Sequence, residues 1–288
     1  MAKGAAFEPP LFFVRFALER GHGAARGEEG IEMRKSLKSL FCVLGSVVAI
    51  GSLVATGLAT AAPNTQSIEV KVKPTKGPKN KRLPISLDVN VFATHPAEPG
   101  NSSGIPHPTT NAKVDFSKNG VFQQKGYPIC DPAQFGSSTT TQDVRDECGD
   151  AAIGKGSATV VVPTATGAPP VTVKADVVAA NVKGNRMLLH SHNPLSGGQP
   201  LVGQLEKAGG GKYGITLNVD VPPLAGGAAV ITQFQTNIDK VVYRHNGKRL
   251  AILSSNCKDK TADFRARFTD NQGNVNVGTD VIKCTRTG

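Results

Sequence analysis

The sequence predicts a mainly β domain, antiparallel and sandwich-like, with one short helix and two disulfides. Three observations carry this expectation. Apolar residues recur with a period of two in several separate runs, Asn-Gly and glycine-rich turns punctuate those runs, and four cysteines follow an export-like segment. Composition agrees, since 32 Gly and 19 Pro stand against no Trp, 3 Tyr and 12 Phe in 288 residues, a balance that favours strands and turns over long helices.

Taken in chain order, the first organised feature is Arg34, Lys35 and Lys38 ahead of an uncharged run from Leu40 to Ala62 that passes through Ala59-Thr60-Ala61. A basic start, an apolar middle and small residues at positions −3 and −1 make residues 33–61 a signal peptide, with cleavage expected between Ala61 and Ala62. An uncleaved single-pass anchor is the alternative, because the 23 residues reach across about 30 Å of hydrocarbon. Both readings place everything after the run outside the cytoplasm, since the three cations hold its N-terminal end inside. Cys42 lies at the start of the run, the wrong end for lipid attachment. Glu28-Glu29-Gly30 translates a purine-rich stretch two codons before Met33, where a bacterial ribosome-binding site belongs. Met33 is therefore the expected start, and residues 1–32 an upstream extension.

Residues 1–61 hold 7 of the 33 basic and 5 of the 22 acidic residues, so the exported chain has a net charge of +9. It keeps Cys130, Cys148, Cys257 and Cys284, an even number outside the cytoplasm and hence a disulfide framework. Of three pairings, Cys130–Cys148 and Cys257–Cys284 are favoured because each closes a local loop, contributing about 3 kcal/mol in the chain-entropy model. The spacing fits no zinc-ligand pattern, as no C-x-x-C pair occurs.

Residues 62–82 carry Lys71, Lys73, Lys76, Lys79, Lys81 and Arg82 and read as a tether or an edge strand ahead of a β domain over 83–288. Ile85, Leu87, Val89 and Val91 then alternate with polar residues, as do Val171 to Val177, Ile215 to Val221, and Phe264, Ala266 and Phe268 between Arg265 and Arg267. Asn119-Gly120 and Asn246-Gly247 read as tight hairpin turns, because both positions tolerate positive φ. Thr141 to Cys148 is the single expected helix, and His95 to Thr110 reads as a long surface loop.

No motif points to catalysis: there is no G-x-S-x-G, H-E-x-x-H, Walker loop or dinucleotide fingerprint. Gly209-Gly210-Gly211-Lys212 precedes a strand, not the helix a phosphate loop needs. His190 and His192 share a strand face at i and i+2, yet no carboxylate lies close in sequence, so no metal ligand and no cofactor is assigned. The six cations would attract an anionic cell-envelope polymer or a membrane surface at about 1 kcal/mol per cation. No base-stacking aromatic interrupts them, so no nucleic acid is expected as a partner.

Five stretches carry a resemblance: Lys73 to Leu87, Val114 to Gly120 running on to Cys130, Cys148 to Gly156, Leu224 to Gly227, and Tyr243 to Cys284, with Lys212-Tyr213-Gly214 between them. On these the chain resembles uncharacterised secreted proteins of actinobacteria. In that group Pro-Asp-Gly follows the third cysteine, whereas Lys258-Asp259-Lys260 follows Cys257 here. The resemblance implies export and a four-cysteine β domain, and no activity. The functional expectation is an exported, non-enzymatic envelope or extracellular protein, and the alternative is a secreted hydrolase whose site is assembled from distant loops.

Overall fold

The computed structural model describes residues 63–98, 101–164 and 168–287. The expected upstream extension, signal peptide and cleavage point at Ala61 and Ala62 lie outside the described residues. The described chain opens with β1 (Thr65–Lys73), whose burial alternates strictly, with Gln66, Ile68, Val70 and Val72 inward. Short strands β2 (Lys76–Pro78) and β3 (Leu83–Pro84) lead into β4 (Ser86–Thr94). Next come β5 (Thr109–Ser117), β6 (Gly120–Phe122) and the helix α1 (Thr141–Cys148). A meander follows through β7 (Ala152–Val162), β8 (Val171–Val182), β9 (Arg186–Asn193), β10 (Gly197–Lys207) and β11 (Tyr213–Asp220), and then β12 (Val230–Ile238). The last are β13 (Val242–His245), β14 (Lys248–Ala251), β15 (Leu253–Ser255), β16 (Thr261–Asp270), β17 (Val275–Lys283) and β18 (Thr285–Thr287).

Eleven of these strands form one sheet in the order β1-β4-β12-β7-β8-β9-β10-β11-β5-β16-β17. Every neighbouring pair in it is antiparallel. The sheet curls until its two end strands meet. Asp280 on β17 accepts a hydrogen bond from the Val70 N–H of β1 at 2.7 Å. Gly278, two residues earlier on the same face, leaves the Ser67 and Ile68 backbone 3.1–3.2 Å from where a Cβ would stand, so a side chain there would have to push that backbone by a few tenths of an ångström. The sandwich-like layers are thus two halves of one sheet wrapped around a shared apolar interior.

The inward positions are the alternating residues read from the sequence, among them Leu87, Val91, Leu217, Val219, Phe264 and Phe268, and they form the main core. β8 departs from alternation because both its faces are covered: Val177 and Ala179 point to the interior side, while Val178, Ala180 and Val182 pack beneath α1. The helix covers the residues expected, with a Thr140–Asp143 capping box closing its first turn. Disulfide Cys130–Cys148 pins it to the outer face of the sheet, and Cys257–Cys284 joins the lead-in of β16 to the exit of β17. Both pairings are the expected ones.

Asn246-Gly247 forms the expected hairpin turn, with φ of 49° and 73°, between β13 and β14. Asn119-Gly120 does not. Neither residue has a positive φ, and β5 and β6 go to different sheets, β6 pairing with β15. Asn119 is instead buried and donates its amide to the Thr261 carbonyl at 2.9 Å. Within 62–82 the edge-strand reading holds for β1, which is the end strand of the main sheet.

Candidate functional site

Curling eleven strands leaves more interior than their side chains fill. A cavity of about 120 Å³ runs inside the sheet, walled by β1, β4, β5, β6, β9, β10, β11, β12 and β16. Its lining is almost wholly aliphatic and aromatic, including Leu87, Val114, Phe116, Met187, Leu217, Phe234 and Phe268. Gln66, Thr109, Thr232, Gln233 and Thr236 are the polar residues among the lining. The Gln66 Oε1 and Thr236 Oγ1 are buried with no hydrogen-bond partner. Opposite them on β4 stand Ala93 and Val89, so the two residues are offset by four strand positions, about 13 Å along β4. A buried acceptor or hydroxyl left unpaired costs about 1–3 kcal/mol, which a ligand carrying a donor can remove. The volume approaches the roughly 150 Å³ apolar cavities that take up benzene.

One end of the interior adjoins a second hollow of about 240 Å³ between residues 108–110, 221–229 and Asn271, the two sharing Thr109, Val221 and Ile231 as lining. The segment over it contains Pro222-Pro223 and then Ala225, Gly226 and Gly227 with φ of 47°, 68° and 93°. At the same end the loop from β4 to β5 is more than a surface loop. His95 is buried, and Glu98 and Asn101 exchange backbone hydrogen bonds at 3.2 and 2.9 Å. One ligand atom each from His95, Glu98 and His107 lies within 4.8 Å of the other two. No metal ligand was expected in this segment from its sequence. The available signal was two histidines and a glutamate within 13 residues of a loop rich in Pro, Ser and Gly.

Among the described residues His190 and His192 belong to no group of three or more converging metal-ligating side chains. His190 is fully buried against Phe135 in an edge-on contact of 6.0 Å, with neither ring nitrogen hydrogen-bonded, and burial lowers its pKa. On the outer face, buried Asp115 accepts from Thr216 Oγ1 at 2.6 Å, Arg265 Nε at 2.7 Å and Arg267 Nη2 at 3.0 Å. Burial raises its pKa, but these hydrogen bonds and the two guanidiniums outweigh it and hold the carboxyl below its ordinary value. Arg265 also stacks over Tyr213 at 4.5 Å, which makes this cluster a clamp between β5, β11 and β16. Lys71, Lys73, Lys76, Lys79, Lys81 and Arg82 are all exposed, the first two on the outer face of β1. No family model matches the chain, and no curated protein matches it.

Proposed function

We propose that this is an exported, non-enzymatic binding protein that holds a small apolar molecule, about the size of one aromatic ring, inside its curled sheet. The observation that carries this reading is the 120 Å³ cavity lined by apolar side chains. Its two unpaired polar atoms favour an amphiphile with a hydrogen-bond donor over a pure hydrocarbon. Apolar residues inward with Glu69, Lys71, Arg265 and Arg267 outward are the reverse of the pattern a lipid-embedded barrel needs. Among the described residues no helix is long and apolar enough to cross a membrane. The two disulfides are consistent with an oxidising compartment outside the cytoplasm. Export through the segment at 33–61 and retention on an anionic envelope surface by the exposed cations belong to the same proposal.

The test is binding of a single-ring or fused-ring fluorescent probe such as indole, together with solvent extraction and mass spectrometry of the protein as purified. Ala112 lines the cavity, and Ala112→Phe fills it while leaving the outer surface untouched. The wild type is expected to bind about one probe per chain, with at least about a tenfold loss in the variant, equal to 1.4 kcal/mol. No binding by the wild type, or equal binding by both proteins, would refute the reading. Robust turnover in a hydrolase panel would favour the enzymatic alternative.

A further inference from the structure

We propose that His95, Glu98 and His107 form a binding site for one divalent metal ion of borderline softness, zinc foremost. His95 follows β4 by one residue and His107 precedes β5 by two, so the three side chains converge where the β4–β5 loop begins and ends. His95 Nε2 lies 3.6 Å from Glu98 Oε1. Two ligands of a tetrahedral zinc ion, each bonded at about 2.0–2.1 Å, stand roughly 3.3 Å apart, so small side-chain rotations suffice. The two imidazole rings meet edge to face at 5.0 Å.

The surroundings orient the ligands as metal sites require. His95 Nδ1 is 2.6 Å from the Pro96 carbonyl and 3.2 Å from the Asn101 amide nitrogen, and the tautomer that donates to the carbonyl carries its proton on Nδ1. In the neutral imidazole the lone pair is then on Nε2, the atom facing Glu98. His107 is fixed through its backbone: its N–H donates to Asn64 Oδ1 at 2.8 Å, and its carbonyl accepts from Asn64 Nδ2 at 3.0 Å. Its Nε2 is buried without a hydrogen-bond partner. A His95–Glu98 ion pair alone would leave that nitrogen unexplained. Asn101 organises the loop between, accepting from the Ile105 N–H at 3.2 Å and donating to the Ile105 carbonyl at 2.7 Å.

Two imidazoles and one carboxylate favour zinc and its transition-metal neighbours over calcium or magnesium, which prefer all-oxygen shells. Three protein ligands leave a fourth position for water or an anionic ligand. The ion would clip together the two ends of the loop, next to Ala93 and Thr109 of the cavity wall. The site stands on its own geometry and does not depend on what the cavity holds.

The experiment is titration of the chelator-stripped, full-length protein with zinc chloride in competition with a chromophoric chelator. One ion per chain is expected. His107→Gln and Glu98→Gln should each weaken binding about tenfold to a hundredfold. The double variant His190→Gln/His192→Gln should bind as the wild type does. Circular dichroism checks that each variant is folded, and Glu98→Gln decides if His107→Gln is not. Absence of binding by the wild type, or affinity unchanged by the loop variants and lost in the His190/His192 variant, would overturn the assignment.

Discussion

His190 is a polar ring placed where an apolar one would serve. It fills the joint between β9 and α1 beside Phe135, and both of its nitrogens are without hydrogen bonds. Burial chiefly, and the neighbouring His192, lower its pKa from 6.5, against a smaller opposing pull from Asp143. The sign of the pH effect follows from that direction. Above about pH 6.5 the folded and unfolded chains are both neutral at this position. As the pH falls below that value the unfolded chain takes up a proton first, so stability drops until the folded pKa is reached. His190→Leu removes both the unpaired nitrogens and the titration. It should raise stability by about 1 kcal/mol at pH 7, and the advantage should widen towards pH 5. Urea unfolding of both proteins at pH 5, 6, 7 and 8 measures this, and parallel pH profiles would contradict it.

At the scale of single elements, β1 combines an inward row of Ile68, Val70 and Val72 with an outward row that includes Lys71 and Lys73. The inward row holds the strand; the lysines touch solvent. Replacing Lys71, Lys73, Lys76, Lys79, Lys81 and Arg82 by Gln lowers the exported net charge from +9 to +3 and removes no buried contact. The variant should unfold within about 0.5 kcal/mol of wild type and lose salt-sensitive binding to vesicles containing anionic phospholipid. Aggregation would instead assign the lysines to protecting the sheet's end strand. Elements whose determinants are local were legible in the sequence: strand alternation, the capped helix from Thr141, the Asn246-Gly247 hairpin and both disulfide loops. Asn119-Gly120 was not, because whether its flanking strands pair depends on β15, more than a hundred residues on. The His95–Glu98–His107 cluster was illegible for a related reason. Its convergence depends on Asn64, 43 residues earlier, holding His107 in place.

At the scale of the whole molecule, everything proposed for the interior depends on the closure between β1 and β17, strands at opposite ends of the described chain. Period-two patterning predicts which faces are inward but not that the first and last strands meet, since closure is set by the accumulated twist and bend of eleven strands. The bend has visible contributors. On β7, Gly156 faces the Gln235 carbonyl of β12 where a side chain would otherwise stand. The seam itself includes the backbone of Ser67 and Ile68 over Gly278 and the Val70 N–H bound to Asp280. Gly278→Val puts a branched side chain into that approach and must push β1 outward, since the atoms it meets belong to the backbone and not to a yielding side chain. The cost should be about 1–3 kcal/mol, as for other overpacked sites. The seam should also loosen before the rest, because β4 still holds β1 along its other edge across nine residue pairs. Hydrogen exchange should therefore quicken at Val70 and its β1 neighbours while the amides of β8 and β9 keep their protection. Uniform acceleration across all strands would show that the sheet opens as one unit and that the seam is not its separable joint.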